Sequence, residues 1–504
     1  MTVMDHQIAP GVEAFLKASP HKLLIGGKWV DAADSETFEV LNPADESVLA
    51  KMARAREEDA NRAVAAARRA FDLGHYRTMS VHNRSKLLYK LAEAIEDNLE
   101  EFAQLESLDN GKPVAVARAA DVPLVIEHFR YYAGWADKIE GEVIPVAPPY
   151  DPHGRYLNYT LREPIGVAAQ IIPWNFPLLM AAWKLGAALA CGCSVVLKPA
   201  EQTPLSAVRL GELICEVGFP DGVVNILTGY GDVGAALAAH PDVDKVAFTG
   251  STEVGKKIVQ ASAGNLKKVT LELGGKSPNV IFSDADPEVA AKGAASGIFF
   301  NHGQTCCAGS RLFVEEPVYD EIVERISKIA DGIKVGPGLA PDTEMGPLVS
   351  AEQLERVRGY IESGVEEGAH ILTGGKQHSG DGKGRGYFCR PTVFGNVKKD
   401  MKMVREEIFG PVVAAFPFSK LEEVAAEAND TEYGLAAGIF TKDLAKAHRL
   451  ASMIRAGSVW INCYNMFDAA SPFGGYKQSG YGREMGKHAL ENYTQTKSVW
   501  VKLE

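Results

Sequence analysis

Between residues 165 and 283 short apolar runs alternate with stretches of helical period, and that alternation admits few folds. The runs 167–172, 194–198, 223–227, 245–248, 269–273 and 280–282 read as strands, and 178–190, 232–239 and 252–263 read as helices. Thr203-Pro204, an N-cap followed by proline at the first helical position, opens another helix that Gly218 closes. Strands spaced by helices of this length predict a parallel sheet with helices on both faces. Ligands of such sheets bind just beyond the carboxyl ends of the strands. The residues that follow each strand are therefore where chemistry is expected.

The flanking segments extend this plan. Residues 23–54 read as short strands around the Gly26-Gly27 turn, and helices follow over 57–71, 84–108 and on to about 138, with a stop at Asn110-Gly111-Lys112-Pro113. The proline-rich stretch 143–162 reads as an extended hairpin leaving the main body, an assembly element. Beyond 283, helices near 288–297, 317–330, 351–367, 420–428 and 443–454 are separated by strands near 311–314, 369–373, 412–416 and 437–440. These imply a second α/β domain, with 378–384 as a solvated loop. At 504 residues the chain exceeds one typical core, and a net charge of −12 argues against a nucleic-acid partner. The apolar stretch 178–197 is interrupted by Lys184 and by glycines, so no membrane span is expected, and residues 1–20 do not read as a secretory signal. Seven cysteines, an odd and scattered number, form no disulfide framework and suit a reducing compartment, so the cytoplasm is the default. Cys191-Gly192-Cys193 lacks a second pair at zinc spacing and reads as a helix–strand turn; no metal site is expected.

Several of the post-strand segments carry chemistry. Gly250-Ser251-Thr252-Glu253-Val254-Gly255 joins a strand to a helix, where backbone N–H groups and the helix dipole can meet a phosphate. With Lys256 it approaches a Walker A loop, but Lys257 stands where magnesium needs Ser or Thr, which counts against an NTPase. A plain capped turn is the other reading. Lys198 and Glu201 follow a strand and can share ribose hydroxyls as donor and acceptor, or form a simple surface pair. Glu201 would repel a 2′-phosphate, favouring NAD over NADP. Asn175, between Trp174 and Phe176 in a turn flanked by prolines, offers a fixed amide donor of the kind an oxyanion hole needs, or else it serves turn backbone. Glu272, between Leu271 and Leu273, is a candidate buried general base. Cys306 and Cys307 follow Gly303-Gln304-Thr305, where small neighbours leave room for a substrate to approach a nucleophilic thiol; a buried small hydrophobe is the bland alternative.

In this order, the motifs Pro173-Trp174-Asn175-Phe176-Pro177, Lys198-Pro199-Ala200-Glu201, Phe248-Thr249-Gly250-Ser251-Thr252, Leu271-Glu272-Leu273-Gly274-Gly275-Lys276 and Gly303-Gln304-Thr305-Cys306 resemble those of the NAD(P)-dependent aldehyde dehydrogenase superfamily. Glu406-Glu407-Ile408-Phe409-Gly410-Pro411 and Ser471-Pro472-Phe473-Gly474-Gly475 add to the likeness, which runs from about residue 23 to residue 501. The resemblance implies an α/β fold with a Rossmann-type NAD-binding domain (1–144 and 163–276), an α/β catalytic domain (277–478) and a small β oligomerisation element (145–162 and 479–504). It implies NAD as cofactor and a homodimer or homotetramer. It implies Cys306 as nucleophile, Cys307 as its dispensable neighbour, Asn175 as oxyanion donor and Glu272 as base. By the same likeness Ile172, Trp174, Lys198, Glu201, Gly229, Gly250, Ser251, Gly274, Glu407 and Phe409 would hold the cofactor.

Phe176, Met180, Trp183, Phe467 and Phe473 match positions lining the family's substrate tunnel, and all are apolar. Such a wall favours an arylalkyl or medium-chain alkyl aldehyde, phenylacetaldehyde-like, over a carboxylated semialdehyde. Betaine aldehyde and broad-range aliphatic aldehydes are the alternatives, since an aromatic box also holds a quaternary ammonium. A CoA-acylating dehydrogenase is disfavoured by Glu272, and a non-catalytic protein on this scaffold by Cys306, Asn175 and Glu272 occurring together. Asp468, beside Phe467, reads as a solvated loop acid.

Overall fold

Five parallel strands form the centre of the first sheet, in the computed structural model, which describes residues 8–376 and 384–503. Their order is Lys268–Glu272, Lys245–Thr249, Val167–Ile171, Ser194–Lys198, Val224–Ile226. Antiparallel strands close both edges, Gly480–Tyr481 on one side and Leu23–Ile25 with Lys28–Val30 on the other. Every residue of Val167–Ile171, Ser194–Lys198 and Lys245–Thr249 is buried, as strands covered by helices on both faces must be. The chain leaves Val167–Ile171 in one direction and later returns to its opposite side. The strand order therefore reverses there, and a crevice opens at its carboxyl end.

A second sheet, ordered His370–Thr373, Thr392–Gly395, Val412–Phe418, Arg311–Glu315, Pro278–Ile281, Ala436–Phe440, Ser458–Ile461, is parallel except at its first pair. A third sheet pairs Tyr156–Pro164 with Thr494–Lys502 on one side and with Val143–Ile144 on the other, all antiparallel. It leaves Val143, Leu161, Trp500 and Val501 exposed. Among the described residues no helix is long and apolar enough to cross a membrane.

The helix Pro177–Cys191 is buried at every position, and Gly192, at φ 90°, turns the chain into the next strand. Cys191 and Cys193 flank that turn, each buried.

Three expectations need correction. The segment 84–108 is two helices, Val81–Asp97 and Leu99–Asn110, jointed at Asn98, whose amide donates back to the Ala94 carbonyl (2.8 Å). Pro204, not Thr203, stands at the N-cap of Leu205–Val217; the Thr203 hydroxyl instead donates to the Trp174 carbonyl (3.3 Å). The strands Thr392–Gly395 and Ser458–Ile461 were not anticipated, being four residues each beside Pro391 and Gly457. The loop expected at 378–384 lies outside the described residues apart from Gly384.

Candidate active site

The crevice continues into a cavity of about 600 Å³, walled by the strand ends Thr249 and Glu272 of the first sheet and by loops and helices that include Asn175, Cys306, Glu407 and Phe467. Beyond Val167–Ile171 the chain passes through Ile172-Pro173-Trp174 to Asn175, which is buried and donates its Nδ2 to the Gln304 carbonyl (2.9 Å). One hydrogen of that amide is thereby fixed in direction, and the other is left for the cavity.

Cys306 lies at the cavity wall, part-buried, while Cys307 is 1% exposed. The Cys307 thiol donates to Asn465 Oδ1 (3.4 Å), and its carbonyl accepts from the Tyr464 hydroxyl (2.7 Å). Both cysteines border the cavity, and Cys306 is the more exposed of the two. A hydrogen bond with Cys307, reinforced by burial, holds the Cys306 thiol well above its ordinary pKa, so it rests protonated.

Glu272 ends the Lys268–Glu272 strand between two buried leucines and borders the same cavity. Neither carboxylate oxygen has a hydrogen-bond partner. Burial first, and the neighbouring Glu484 second, push its pKa well up. The small residue at 474 leaves room for this side chain, since a Cβ there would sit 2.7 Å from Glu272 Oε1. Burial that raises the carboxyl makes its ionised form a stronger base toward a neighbouring thiol.

The opposite wall carries Trp174, Gly250, Ser251, Gly274, Glu407 and Phe409. Ser251 caps the helix Thr252–Ser262 by accepting from the Val254 amide (3.3 Å), and the helix's first amides face the crevice without intrahelical partners. That is a seat for a phosphate. Glu407 Oε1 accepts from the Gly275 amide (3.0 Å), and burial raises its carboxyl to about 7 against the pull of that bond, Arg356 and Lys276. A Cβ at Gly274 would lie 2.2 Å from Glu407 Oε2, so only glycine lets the two approach. Phe409 meets Trp174 edge to face at 5.1 Å. Lys198 is buried, with its amine 3.3 Å from Glu201 just past the Ser194–Lys198 strand. Lys198 ends its strand, and Glu201, Ile172 and Gly229 stand beyond strand ends; all four lie outside the residues that wall the cavity. Glu407, the Phe409–Trp174 pair and the residues Gly250 and Ser251 at the helix start all border the one cavity.

The far end is largely aromatic and aliphatic, although Asp121 and Glu127, near Leu124 in sequence, also border the cavity. Trp183, Phe467 and Phe473 pack at centroid distances of 5.4–6.1 Å, and Phe176 stacks near Phe300 at 6.1 Å. Met180 lines the same end, with Leu124, Leu179 and Phe300, which sequence reasoning had not singled out. Among the described lining residues the one cation is Arg356, on the Glu407 side, where it donates to the Glu407 carbonyl (2.8 Å). Asp468 is exposed and accepts from the Ala470 amide (2.8 Å), as a loop acid would.

The profile of the aldehyde dehydrogenase family matches residues 29–499. The chain belongs to that family. It is similar to the mitochondrial aldehyde dehydrogenase of Rattus norvegicus, with 53% identity over 96% of this chain and 92% of that one. Its fold superposes on an aldehyde dehydrogenase from Bacillus cereus, solved as an NAD+ complex, at TM-score 0.96 and 53% identity, covering 99% of this chain and 100% of that one. Betaine aldehyde dehydrogenase from Staphylococcus aureus, in complex with NAD+, superposes at TM-score 0.94 and 41% identity over 98% and 97%.

Proposed function

We propose that this aldehyde dehydrogenase uses NAD to oxidise apolar aldehydes, arylalkyl ones best, to carboxylic acids. The observation that carries the substrate class is the aromatic end of the cavity, where Trp183, Phe467 and Phe473 enclose the approach to Cys306 with no cation among them. Cys306 passes its proton to the ionised form of Glu272 as its sulfur attacks the aldehyde carbon, and the Asn175 amide stabilises the oxyanion that forms. NAD, when bound, supplies the acceptor for the hydride that leaves this carbon. Glu272 releases that proton to solvent, then draws a proton from the water whose oxygen attacks the thioester, and hands it to the departing sulfur as the acid leaves.

For NAD itself, Glu407 would accept from the nicotinamide ribose, Phe409 and Trp174 would pack on the ring, and Ser251 with the helix behind it would hold the pyrophosphate. Lys198 and Glu201 would share the adenosine ribose, and the Glu201 carboxylate there disfavours a 2′-phosphate.

The test is kcat/KM for phenylacetaldehyde, acetaldehyde, succinic semialdehyde and betaine aldehyde measured side by side. One well-packed ring contributes on the order of 1–3 kcal/mol, or roughly tenfold to a hundredfold. Phenylacetaldehyde should therefore exceed acetaldehyde by that margin, and the semialdehyde should be poor because its second charge would be buried unpaired. Preference for betaine aldehyde would recast the aromatic end as a box for a quaternary ammonium, as the Staphylococcus aureus relative's name suggests.

A further inference from the structure

The turn before the nucleophile carries two successive residues in the left-handed region, Asn301 at φ 48° and His302 at φ 60°. Neither is glycine, and such conformations persist only where the surroundings hold them. What holds Asn301 is its own side chain. Its Nδ2 donates to the Asn175 carbonyl (3.0 Å) and to the Gln304 carbonyl (3.2 Å). Those carbonyls belong to two loops that meet across the site, one bearing Asn175 and the other leading to Cys306. The Gln304 carbonyl is also the group that orients the Asn175 amide (2.9 Å). One buried amide therefore ties the backbone of the oxyanion donor to the loop of the nucleophile.

A second side chain reaches the same backbone from below. Asn110, last residue of Leu99–Asn110, donates to the Trp174 carbonyl (2.8 Å) and more weakly to that of Asn175 (3.4 Å). Both asparagines are buried and neither borders the cavity. Asparagine suits position 301 twice over. It tolerates the left-handed region better than other side chains, and its two amide hydrogens can serve two carbonyls at once.

We propose that Asn301 is a positioning residue that aligns the Asn175 amide with Cys306, with Asn110 as its support. The inference rests on Asn175 being the oxyanion donor. Asn301→Gly keeps the left-handed turn available and removes only the strap, so strain and strap are separated. Removing an oxyanion donor outright costs on the order of 10²–10³ in kcat. A misaligned donor should lose part of this, so Asn301→Gly should lower kcat roughly tenfold to a hundredfold, with the affinity for NAD, read by fluorescence titration, unchanged.

The deciding measurement is a double-mutant cycle with Asn175→Ala. If Asn301 acts through Asn175, Asn175→Ala/Asn301→Gly should be no slower than Asn175→Ala alone, within about threefold. Multiplying losses, or an Asn301→Gly enzyme with wild-type kcat, would overturn the proposal. Should Asn301→Gly fail to fold, Asn110→Ala in the same cycle decides the question equally, because it removes the other donor to this backbone. If Asn175→Ala itself leaves kcat intact, the oxyanion reading fails, and that outcome is distinct from failure of the strap.

Discussion

Binding of NAD should expel a proton from Glu407. Burial sets that carboxyl at about 7, so in the free enzyme near neutral pH about half the molecules carry the proton. Ribose hydroxyls donating to the carboxylate, and the positive charge of oxidised nicotinamide, both favour its ionised form. Returning the group from about 7 to its ordinary 4.5 would release about 0.9 proton at pH 6, about 0.5 at pH 7 and about 0.1 at pH 8. The sign follows directly, since the free enzyme binds the proton more tightly than the complex, so the proton opposes NAD and raising the pH favours it. Linkage then makes NAD bind roughly tenfold tighter at pH 8 than at pH 6, about 1.4 kcal/mol. Calorimetric titration in two buffers of different ionisation enthalpy reads the proton number directly at each pH. Glu407→Gln keeps an acceptor for the Gly275 amide and should abolish both the proton release and the pH dependence. A buffer-independent heat in the wild type, or equal release in the variant, would refute the reasoning.

Cys306→Ala should abolish aldehyde oxidation while retaining NAD binding, whereas Cys307→Ala should keep substantial turnover; equal losses in a steady-state assay would reverse the assignment. Glu272→Gln should lose roughly 10²–10⁴-fold in turnover, as removal of a general base does. Because burial raises the Glu272 carboxyl, and the hydrogen bond with Cys307 together with burial raises the Cys306 thiol, wild-type turnover should climb with pH, and the Gln variant should climb less. The three-stranded sheet, with Val143, Trp500 and Val501 exposed, should be covered in a dimer or tetramer; light scattering at micromolar concentration checks this, and a monomer would contradict it.

The parallel strands could be read in advance because burial on both faces forces apolar runs such as Val195-Val196-Leu197, and the glycines at 192 and 218 mark helix ends for conformational reasons. The joint at Asn98 could not be read, because it is made by a side chain returning to Ala94 and not by a breaker residue. At the site, Cys306, Glu272 and Asn175 each announce themselves through unusual neighbours. Leu124 and Phe300 do not, for they become tunnel wall only when distant elements converge. Asn110 and Asn301 were invisible for a related reason, because what they do depends on which carbonyls folding places within 3 Å or so of an amide.

A sulfur kept as its thiol is slow to meet peroxide or alkylating agents, since both select the thiolate. The proton that Cys307 and burial hold on Cys306 therefore does more than wait for Glu272. Less thiolate between turnovers should make the sulfur slower to react with electrophiles. Resistance to oxidative wear and readiness for the next aldehyde are then set by one and the same proton, and any change that sharpens the thiol should shorten the working life of the enzyme.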